Sequence, residues 1–243
     1  MKPFLHLSIR DHDDAVAKEF DAIASFGGLK PGQLVQLRVE QAPLPVIHPD
    51  DYSGLIIGGG QFNASDEVKT DNQRRVEGDL GQIVDVALAQ GVPLLGLCYG
   101  VGVVTQHLGG LVDRTYGETT SAVEITLTDE GQADPLFEGV PQRFMAFTGH
   151  KEACSRMPND AVLLATGTAC PVQAFRVGER AYVTQFHPEL DVPRLVERMV
   201  IYKDAGYFHP DDFEILVEMA RRSGVTEHPH LLLRNFVTRY TRD

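Results

Sequence analysis

The segment that most constrains the fold of this chain is residues 93–102, Pro-Leu-Leu-Gly-Leu-Cys-Tyr-Gly-Val-Gly. Its apolar first half predicts a short buried strand of a parallel sheet. Cys98 follows this strand directly, and the small residues after it allow a sharp strand-to-helix turn that leaves the thiol exposed above the sheet. The N-terminus of the next helix favours a thiolate, so the segment indicates a cysteine nucleophile. A buried core cysteine is the alternative interpretation.

Strand and helix patterns alternate in the segments before residue 112. The strand patterns cover residues 4–9, 34–39, 55–57 and 94–97, and the helix patterns cover residues 16–24 and 69–90. This alternation predicts βαβ units and a parallel sheet, with the second strand at a sheet edge. Five short strand patterns between residues 112 and 185 predict an antiparallel or mixed extension.

Three helix patterns follow residue 189, and at 243 residues the chain is long enough for one α/β domain. We therefore expect a single domain over residues 1–243, with an open, mostly parallel twisted sheet flanked by helices. Its core is predicted at about 1–203 and a helical C-terminal extension at about 204–243. Aromatic residues of this extension, including Tyr207, are expected to pack on the core. Dimerisation and docking of a partner are the alternatives.

Composition excludes several classes of partner. The net charge is -12 and no basic run is present, which argues against nucleic acid. The chain has neither an apolar stretch of bilayer-spanning length nor a signal-peptide pattern. Three widely spaced cysteines, Cys98, Cys154 and Cys170, favour a reducing compartment over a disulfide framework. These features predict a cytoplasmic protein without a membrane partner.

Three residues that are distant in sequence fit one catalytic mechanism. Cys98 would attack a carbonyl carbon, and His187 would accept the thiol proton and later deliver a proton to the leaving group. Glu189 would hold the imidazole in the useful tautomer, as the third member of such a triad does. Alone, His187 would more often be a structural histidine.

A glycine triplet, residues 58–60, follows the third predicted strand and should lie beside Cys98, because open α/β sheets bind ligands at the carboxyl ends of their strands. Its N–H groups, together with that of Tyr99, could form an oxyanion hole. A simple turn is the alternative. The triplet lacks the glycine spacing and the lysine of nucleotide-phosphate loops.

The Cys98 segment, the glycine triplet and the sequence Gln-Phe-His-Pro-Glu at residues 185–189 together resemble the class I (triad-type) glutamine amidotransferases. Within that family they are most similar to the amidotransferase domain of GMP synthase and its free-standing relatives. The resemblance covers residues 50–190 well.

The resemblance implies hydrolysis of glutamine to glutamate and ammonia through a γ-glutamyl thioester on Cys98. It also implies His187 as the general base and Glu189 as the orienting carboxylate. Gly59 and Tyr99 would donate to the oxyanion, and Gly58, Gly60, Gly149 and His150 would help to bind the substrate. His150 and Glu152 could equally be ordinary loop residues, and for Glu152 this is the favoured interpretation.

Two departures from the family pattern affect the substrate and the product. Family members commonly carry a glutamine four residues after the cysteine, where this chain has Gly102; Gln106 could substitute for it. Second, no synthetase portion follows Glu189, so ammonia would pass to a synthetase partner or be released. Two alternatives remain open: a γ-glutamyl hydrolase acting on a larger amide, which Gly102 favours, and a catalytically idle binding subunit.

We assign no cofactor and no metal from the sequence. The pair His228 and His230 lacks further ligands nearby. The expected ligand is glutamine or a related γ-glutamyl amide, and a homodimer is one option for the assembly.

Overall fold

The computed structural model of the protein describes residues 1–203 and 208–243. The following strands and helices lie within these residues, in chain order: β1 (Phe4–Ile9), α1 (Asp13–Gly27), β2 (Leu34–Arg38), β3 (Gly54–Gly60), α2 (Asp71–Gln90), β4 (Leu94–Leu97), α3 (Tyr99–His107), β5 (Leu111–Asp113), β6 (Glu118–Leu127), α4 (Asp129–Ala133), β7 (Arg143–His150), β8 (Ala153–Arg156), β9 (Val162–Gly167), β10 (Ala174–Val177), β11 (Ala181–Thr184), α5 (Val192–Ile201), α6 (Phe213–Arg221) and α7 (Leu231–Tyr240).

Nine of these strands form one sheet in the order β2-β1-β3-β4-β11-β10-β9-β6-β7. The first five strands of this order are parallel, as the alternation of strand and helix patterns predicts. β2 lies at the edge, which is also as predicted. The α/β fold with a parallel sheet flanked by helices is therefore confirmed.

Both faces of β3 and β4 are buried, which explains why these two strands contain only apolar residues and glycine. Leu55 and Ile57 of β3 face one core layer, under α2 and α3. Ile56, between them, faces the other layer, under α1 and α7. Successive side chains of a strand point to opposite faces, so a strand covered by helices on both sides buries every side chain.

Four antiparallel strands extend the sheet beyond β11, and they correspond to the predicted extension. The sequence interpretation missed β5 and β8, which pair with each other in a separate two-stranded sheet. These strands have only three and four residues, too few for an alternating pattern to be recognised. They form part of the wall beside the Cys98 turn.

The C-terminal helices pack on the sheet as expected from their apolar residues. Leu232, Leu233 and Phe236 of α7 are fully buried in the layer that also holds α1. α5 and α6 form a third cluster with Phe147 of β7. Tyr207 and the first residues of the predicted extension lie outside the described residues. Among the helices described, none has the length and apolar character needed to cross a membrane.

Candidate active site

Cys98 occupies the turn between β4 and α3, at the carboxyl end of β4 in the parallel part of the sheet. Its backbone angles, φ 49° and ψ -89°, lie outside the helical and extended regions. Such a conformation costs roughly 1–3 kcal/mol, so it persists only because its neighbours enforce it. The Cys98 N–H donates to the carbonyl of Thr184 on β11 at 2.8 Å, which ties the turn to the sheet. The thiol is partly exposed, as the strand-to-helix pattern predicts.

His187 and Glu189 face this turn from the segment after β11. Nδ1 of His187 lies 2.7 Å from Oε1 of Glu189, and both side chains are almost fully buried. Burial lowers the pKa of His187, but the charges of Glu189 and Cys98, and hydrogen bonds to both, raise it to about 9. Burial likewise opposes ionisation of Glu189, but His187 and Arg198 lower its pKa to about 2. Cys98 and His187 thus line the same cavity, and Glu189 lies within hydrogen-bond distance of His187 behind it.

A buried ionic network lies behind this set, and the sequence interpretation missed it. Arg198 of α5 donates to Glu189 Oε1 at 3.1 Å and lies 3.9 Å from Oε1 of Glu19 on α1. Glu19 is fully buried and accepts from Arg10 at 2.8 Å and 2.9 Å. Nε2 of His6 lies 3.3 Å from its other oxygen. Charged residues in two amphipathic helices are normally on the solvated face, so no sequence signal marked these positions.

Two cavities meet at Cys98. The larger, of about 460 Å³, is bounded by β6, by the turn after β7 and by the residues that follow β3. This volume is within the range of sites for small molecules. The smaller, of about 70 Å³, lies on the His187 side. A still larger cavity of about 720 Å³ lies at the opposite end of the strands and contains none of the predicted site residues.

The glycine triplet divides between the cavity and the buried network. Gly60 lines both cavities that contain Cys98. The Gly59 N–H, in contrast, donates to Glu19 Oε1 at 3.2 Å, so the structure already satisfies the predicted oxyanion donor with a buried carboxylate. A Cβ at Gly58 would lie 2.8 Å from His6 Nε2, which places Gly58 against the network as well. β3 continues as a strand through Gly60, and both Gly58 and Gly59 lie against the Glu19 network.

Gly149 and His150 line the larger cavity, as predicted. His150 bridges its wall, because Nδ1 lies 2.8 Å from the carbonyl of Glu152 and Nε2 lies 2.9 Å from Glu118 Oε2. Gln173 donates to the same oxygen of Glu118 at 2.8 Å. Burial opposes the charge of Glu118, but the hydrogen bonds from His150 and Gln173 lower its pKa. This carboxylate therefore stays ionised at the cavity wall.

Glu118, His150 and Cys170 are the described residues that could approach one metal ion, since one ligand atom of each lies within 4.8 Å of the others. Their chemistry is already accounted for without an ion. Glu118 and His150 are hydrogen-bonded to each other, and burial raises the pKa of the Cys170 thiol to about 12. A metal ligand would need the thiolate. We interpret the cluster as hydrogen-bonded support for β6.

Gly102 lines the larger cavity, but other groups already fill the space that its side chain would occupy. A Cβ at this position would lie 2.9 Å from Cβ of Ala64 and 3.0 Å from Oε1 of Glu152. The Glu152 carboxylate fills this space and accepts from the N–H groups of Ala64 and Ser65 at 2.6 Å and 2.7 Å. Glu152 thus stabilises the backbone at Ala64 and Ser65 and is not an ordinary loop residue. Gln106 donates to the Ala64 carbonyl at 2.7 Å, so it also holds this loop.

The two other cysteines are poor candidates for a nucleophile. Cys154 and Cys170 are fully buried. Burial raises the pKa of both thiols above the ordinary cysteine value. A nucleophilic cysteine needs access and thiolate character, and both are lacking there.

Sequence comparison relates the chain to one family. The profile described as "Glutamine amidotransferase class-I" matches residues 31–199. A GMP synthase [glutamine-hydrolyzing] subunit of Methanothermobacter thermautotrophicus is 29% identical over 149 residues, which are 61% of this chain and 71% of that protein. The corresponding subunit of Methanopyrus kandleri is 31% identical over 57% of this chain and 67% of its own length. The GMP synthase of Streptococcus pyogenes is 28% identical, and the match covers only 29% of that longer protein.

Solved structures show the same fold. A glutamine amidotransferase from Thermotoga maritima superposes with a TM-score of 0.78 at 22% identity and covers 99% of both chains. A second, from Methylobacillus flagellatus, has a TM-score of 0.75 at 20% identity over 100% of this chain and 97% of the other. Both matches extend over the C-terminal helices, so the architecture is shared along the whole length.

Proposed function

Because the chain belongs to the class-I glutamine amidotransferase family, we propose that it hydrolyses the side-chain amide of glutamine with Cys98 as the nucleophile. The observation that carries this proposal is the Cys98 turn, which presents a thiol at positive φ to the His187–Glu189 pair. A strained turn, a buried carboxylate and a raised imidazole pKa are together difficult to explain as a purely structural arrangement.

The chemistry follows from the position of each group. The Cys98 sulfur attacks the amide carbon of glutamine while His187 holds the thiol proton. His187 gives that proton to the leaving nitrogen, the C–N bond breaks, and ammonia departs from a γ-glutamyl thioester. Water then attacks the thioester and gives a proton to His187. The C–S bond breaks, the thiol is restored and glutamate is released.

Ionisation of the pair supports these roles. With a pKa of about 9, His187 keeps its proton near neutral pH, where it can protonate the leaving nitrogen. Glu189 remains a carboxylate under these conditions because its pKa is about 2. It orients the imidazole through Nδ1 and leaves Nε2 for Cys98 and the substrate.

The oxyanion donors in this proposal are the N–H groups of Tyr99 and Gly60. Tyr99 begins α3 directly after the nucleophile, where helix N–H groups have no intrahelical partner. Gly60 lines the cavity on the other side of Cys98, whereas the Gly59 N–H is bonded to Glu19. Removal of one oxyanion donor typically costs about 10²–10³-fold in rate.

The substrate site in this proposal is the larger cavity, where Gly149 and His150 form part of the wall. The alternative of a γ-glutamyl hydrolase loses its sequence support, because Ala64 and Glu152 occupy the space beside Gly102. The alternative of an idle binding subunit does not explain why the strained backbone at Cys98 is retained.

The fate of ammonia is part of the proposal. The relatives from Methanothermobacter and Methanopyrus are each named as one subunit of a GMP synthase [glutamine-hydrolyzing], which favours a synthetase partner as the acceptor for this chain as well. We expect the hydrolysis to take place without a cofactor and in the cytoplasm. A homodimer remains one option for its assembly.

Ammonia release from glutamine tests the proposal, measured beside the variants Cys98→Ala and His187→Ala. We expect release by the wild type and a loss of about 10³-fold or more in each variant. Glu124→Gln is the matched control, because Glu124 lies on β6 in an exposed pair with Arg143. Cleavage of larger γ-glutamyl amides without glutamine turnover would favour the hydrolase. Absence of all turnover would leave only the binding subunit.

A further inference from the structure

One buried carboxylate contacts both halves of the candidate active site. Glu19 Oε1 accepts the Gly59 N–H at 3.2 Å, next to the cavity-lining Gly60. The same oxygen lies 3.9 Å from Arg198, whose guanidinium contacts Glu189 at 3.1 Å. Glu19 belongs to α1, which contributes no residue to the cavities at Cys98. A single side chain thus joins the glycine segment after β3 to the turn that carries the catalytic base.

Burying this network is expensive unless every charge is paired. Glu19 is fully buried, the Arg10 side chain is 7% exposed and that of Arg198 is 17% exposed. Two carboxylates, Glu19 and Glu189, are balanced by the two guanidinium groups. A buried ion pair is weak evidence for stability, because well-packed apolar residues often serve equally well. A role in the geometry of the site explains the arrangement better.

We propose that Glu19 and Arg198 are positioning residues of the reaction: Glu19 holds the glycine segment and Arg198, and Arg198 holds Glu189 against His187. Nη1 of Arg198 lies 3.2 Å from Nδ1 of His187 while Nη2 contacts Glu189. The guanidinium therefore shares the Glu189 carboxylate with the imidazole and limits its rotation. This inference rests on the proposed glutaminase activity.

The charge of Arg198 also acts on the proton of His187. A cation beside Nδ1 disfavours the imidazolium, and an anion behind that cation opposes this effect. Removing Arg198 should therefore raise the pH at which His187 loses its proton, and neutralising Glu19 should lower it. The titratable and charged groups that face the His187–Glu189 pair or their ionic partners are Cys98, Arg10, Glu19, Arg198, His6, Tyr202 and His230.

The test measures kcat/KM for glutamine against pH in the full chain for R198M, R198K and E19Q. We expect R198M to lose at least about 10-fold in kcat/KM. The alkaline limb of its pH profile should shift to higher pH. R198K keeps the positive charge but loses the two parallel donors of the guanidinium group. Its alkaline limb should therefore stay at the wild-type pH, while its kcat should still fall. E19Q should move the limb downward. A purely structural role would not give opposite shifts.

The matched controls are R143M and E124Q, which make the same substitutions in an exposed pair whose atoms lie 3.8 Å apart. Both should leave the profile unchanged. Folding of every variant is checked by its melting temperature, and if E19Q does not fold, R198M and R198K alone decide the outcome. The inference would be overturned if R198M folds, its alkaline limb lies at the wild-type pH, and its kcat/KM is within about twofold of the wild-type value. A wild type without glutamine turnover would instead overturn the proposed function, and the inference with it.

Discussion

Glu189 Oε1 lies 2.7 Å from Nδ1 of His187, and both side chains are buried. Because Nδ1 donates to this carboxylate, the other ring nitrogen is free to exchange a proton with Cys98. A hydrogen bond made by one histidine nitrogen sets which tautomer the ring adopts. The distance therefore supports the role that we propose for His187.

Replacing Glu189 with Gln should remove the charge that favours the imidazolium and leave the side chain nearly the same size. We expect a loss of about 10²-fold or more in kcat, because the amide no longer selects the useful tautomer. Steady-state kinetics at several pH values measures this. The alkaline limb, which the pKa of His187 sets at about 9 in the wild type, should move downward. An unchanged rate and limb would show that Glu189 does not act on His187.

Gly102→Ala should destabilise the protein and weaken substrate binding. The new Cβ would collide with Ala64 and Glu152, and such overpacking typically costs about 1–3 kcal/mol. Urea unfolding and the KM for glutamine measure the two effects. Gly78→Ala is the matched control, because nothing lies within 4 Å of its Cβ in α2; this change should stabilise by about 1 kcal/mol. A Gly102→Ala variant as stable as the wild type would contradict the close packing.

His230 links the C-terminal extension to the catalytic turn. Its Nδ1 donates to the carbonyl of Pro188 at 2.7 Å, and its ring stacks on Phe26 at 3.7 Å. His230→Ala should therefore lower both stability and kcat, since Pro188 lies between His187 and Glu189, to which we assign the roles of base and orienting carboxylate. Thermal unfolding and glutaminase kinetics measure these effects. A variant with wild-type kcat would show that the extension does not support the turn.

The contribution of His230 should also depend on pH. Burial lowers the pKa of this histidine below its ordinary value of 6.5, although the bond to Pro188 opposes the shift. A group whose pKa is lowered in the folded state binds fewer protons than it does in the unfolded chain. Its contribution should therefore be complete above pH 6.5 and decline as the pH falls below that value. The unfolding free energies of the wild type and His230→Ala are measured from pH 8 to pH 5, roughly the range in which histidine titrates. The difference between the two free energies should shrink as the pH falls.

Much of the fold could be predicted because its signals are local. The segments of β1 and α7 follow apolar patterns that the structure reproduces at residues 4–9 and 231–240. The turn at Cys98 was predictable for the same reason: strand, nucleophile and helix are contiguous. β5 and β8 escaped because pairing over long range, rather than their own pattern, defines them.

The candidate site was predictable only where a chemical group has a sequence signature. Cys98 and His187 have one, but Glu19 and Arg198 lie in ordinary amphipathic helices and meet only in the folded chain. The contact between Gly59 and Glu19 could not be predicted for the same reason, since their hydrogen bond spans 40 positions. The filling of the space beside Gly102 likewise depends on Glu152, which is distant in sequence and is brought near by β8.

The central claim, that Cys98 is the activated nucleophile, is tested most directly by covalent labelling. The protein is incubated near neutral pH with an electrophilic glutamine analogue, with and without excess glutamine, and the modified residue is located by peptide mass spectrometry. We predict a single adduct on Cys98 that glutamine suppresses, with Cys154 and Cys170 unmodified because they are buried. An adduct on Cys154 or Cys170, or no adduct on Cys98, would contradict the account.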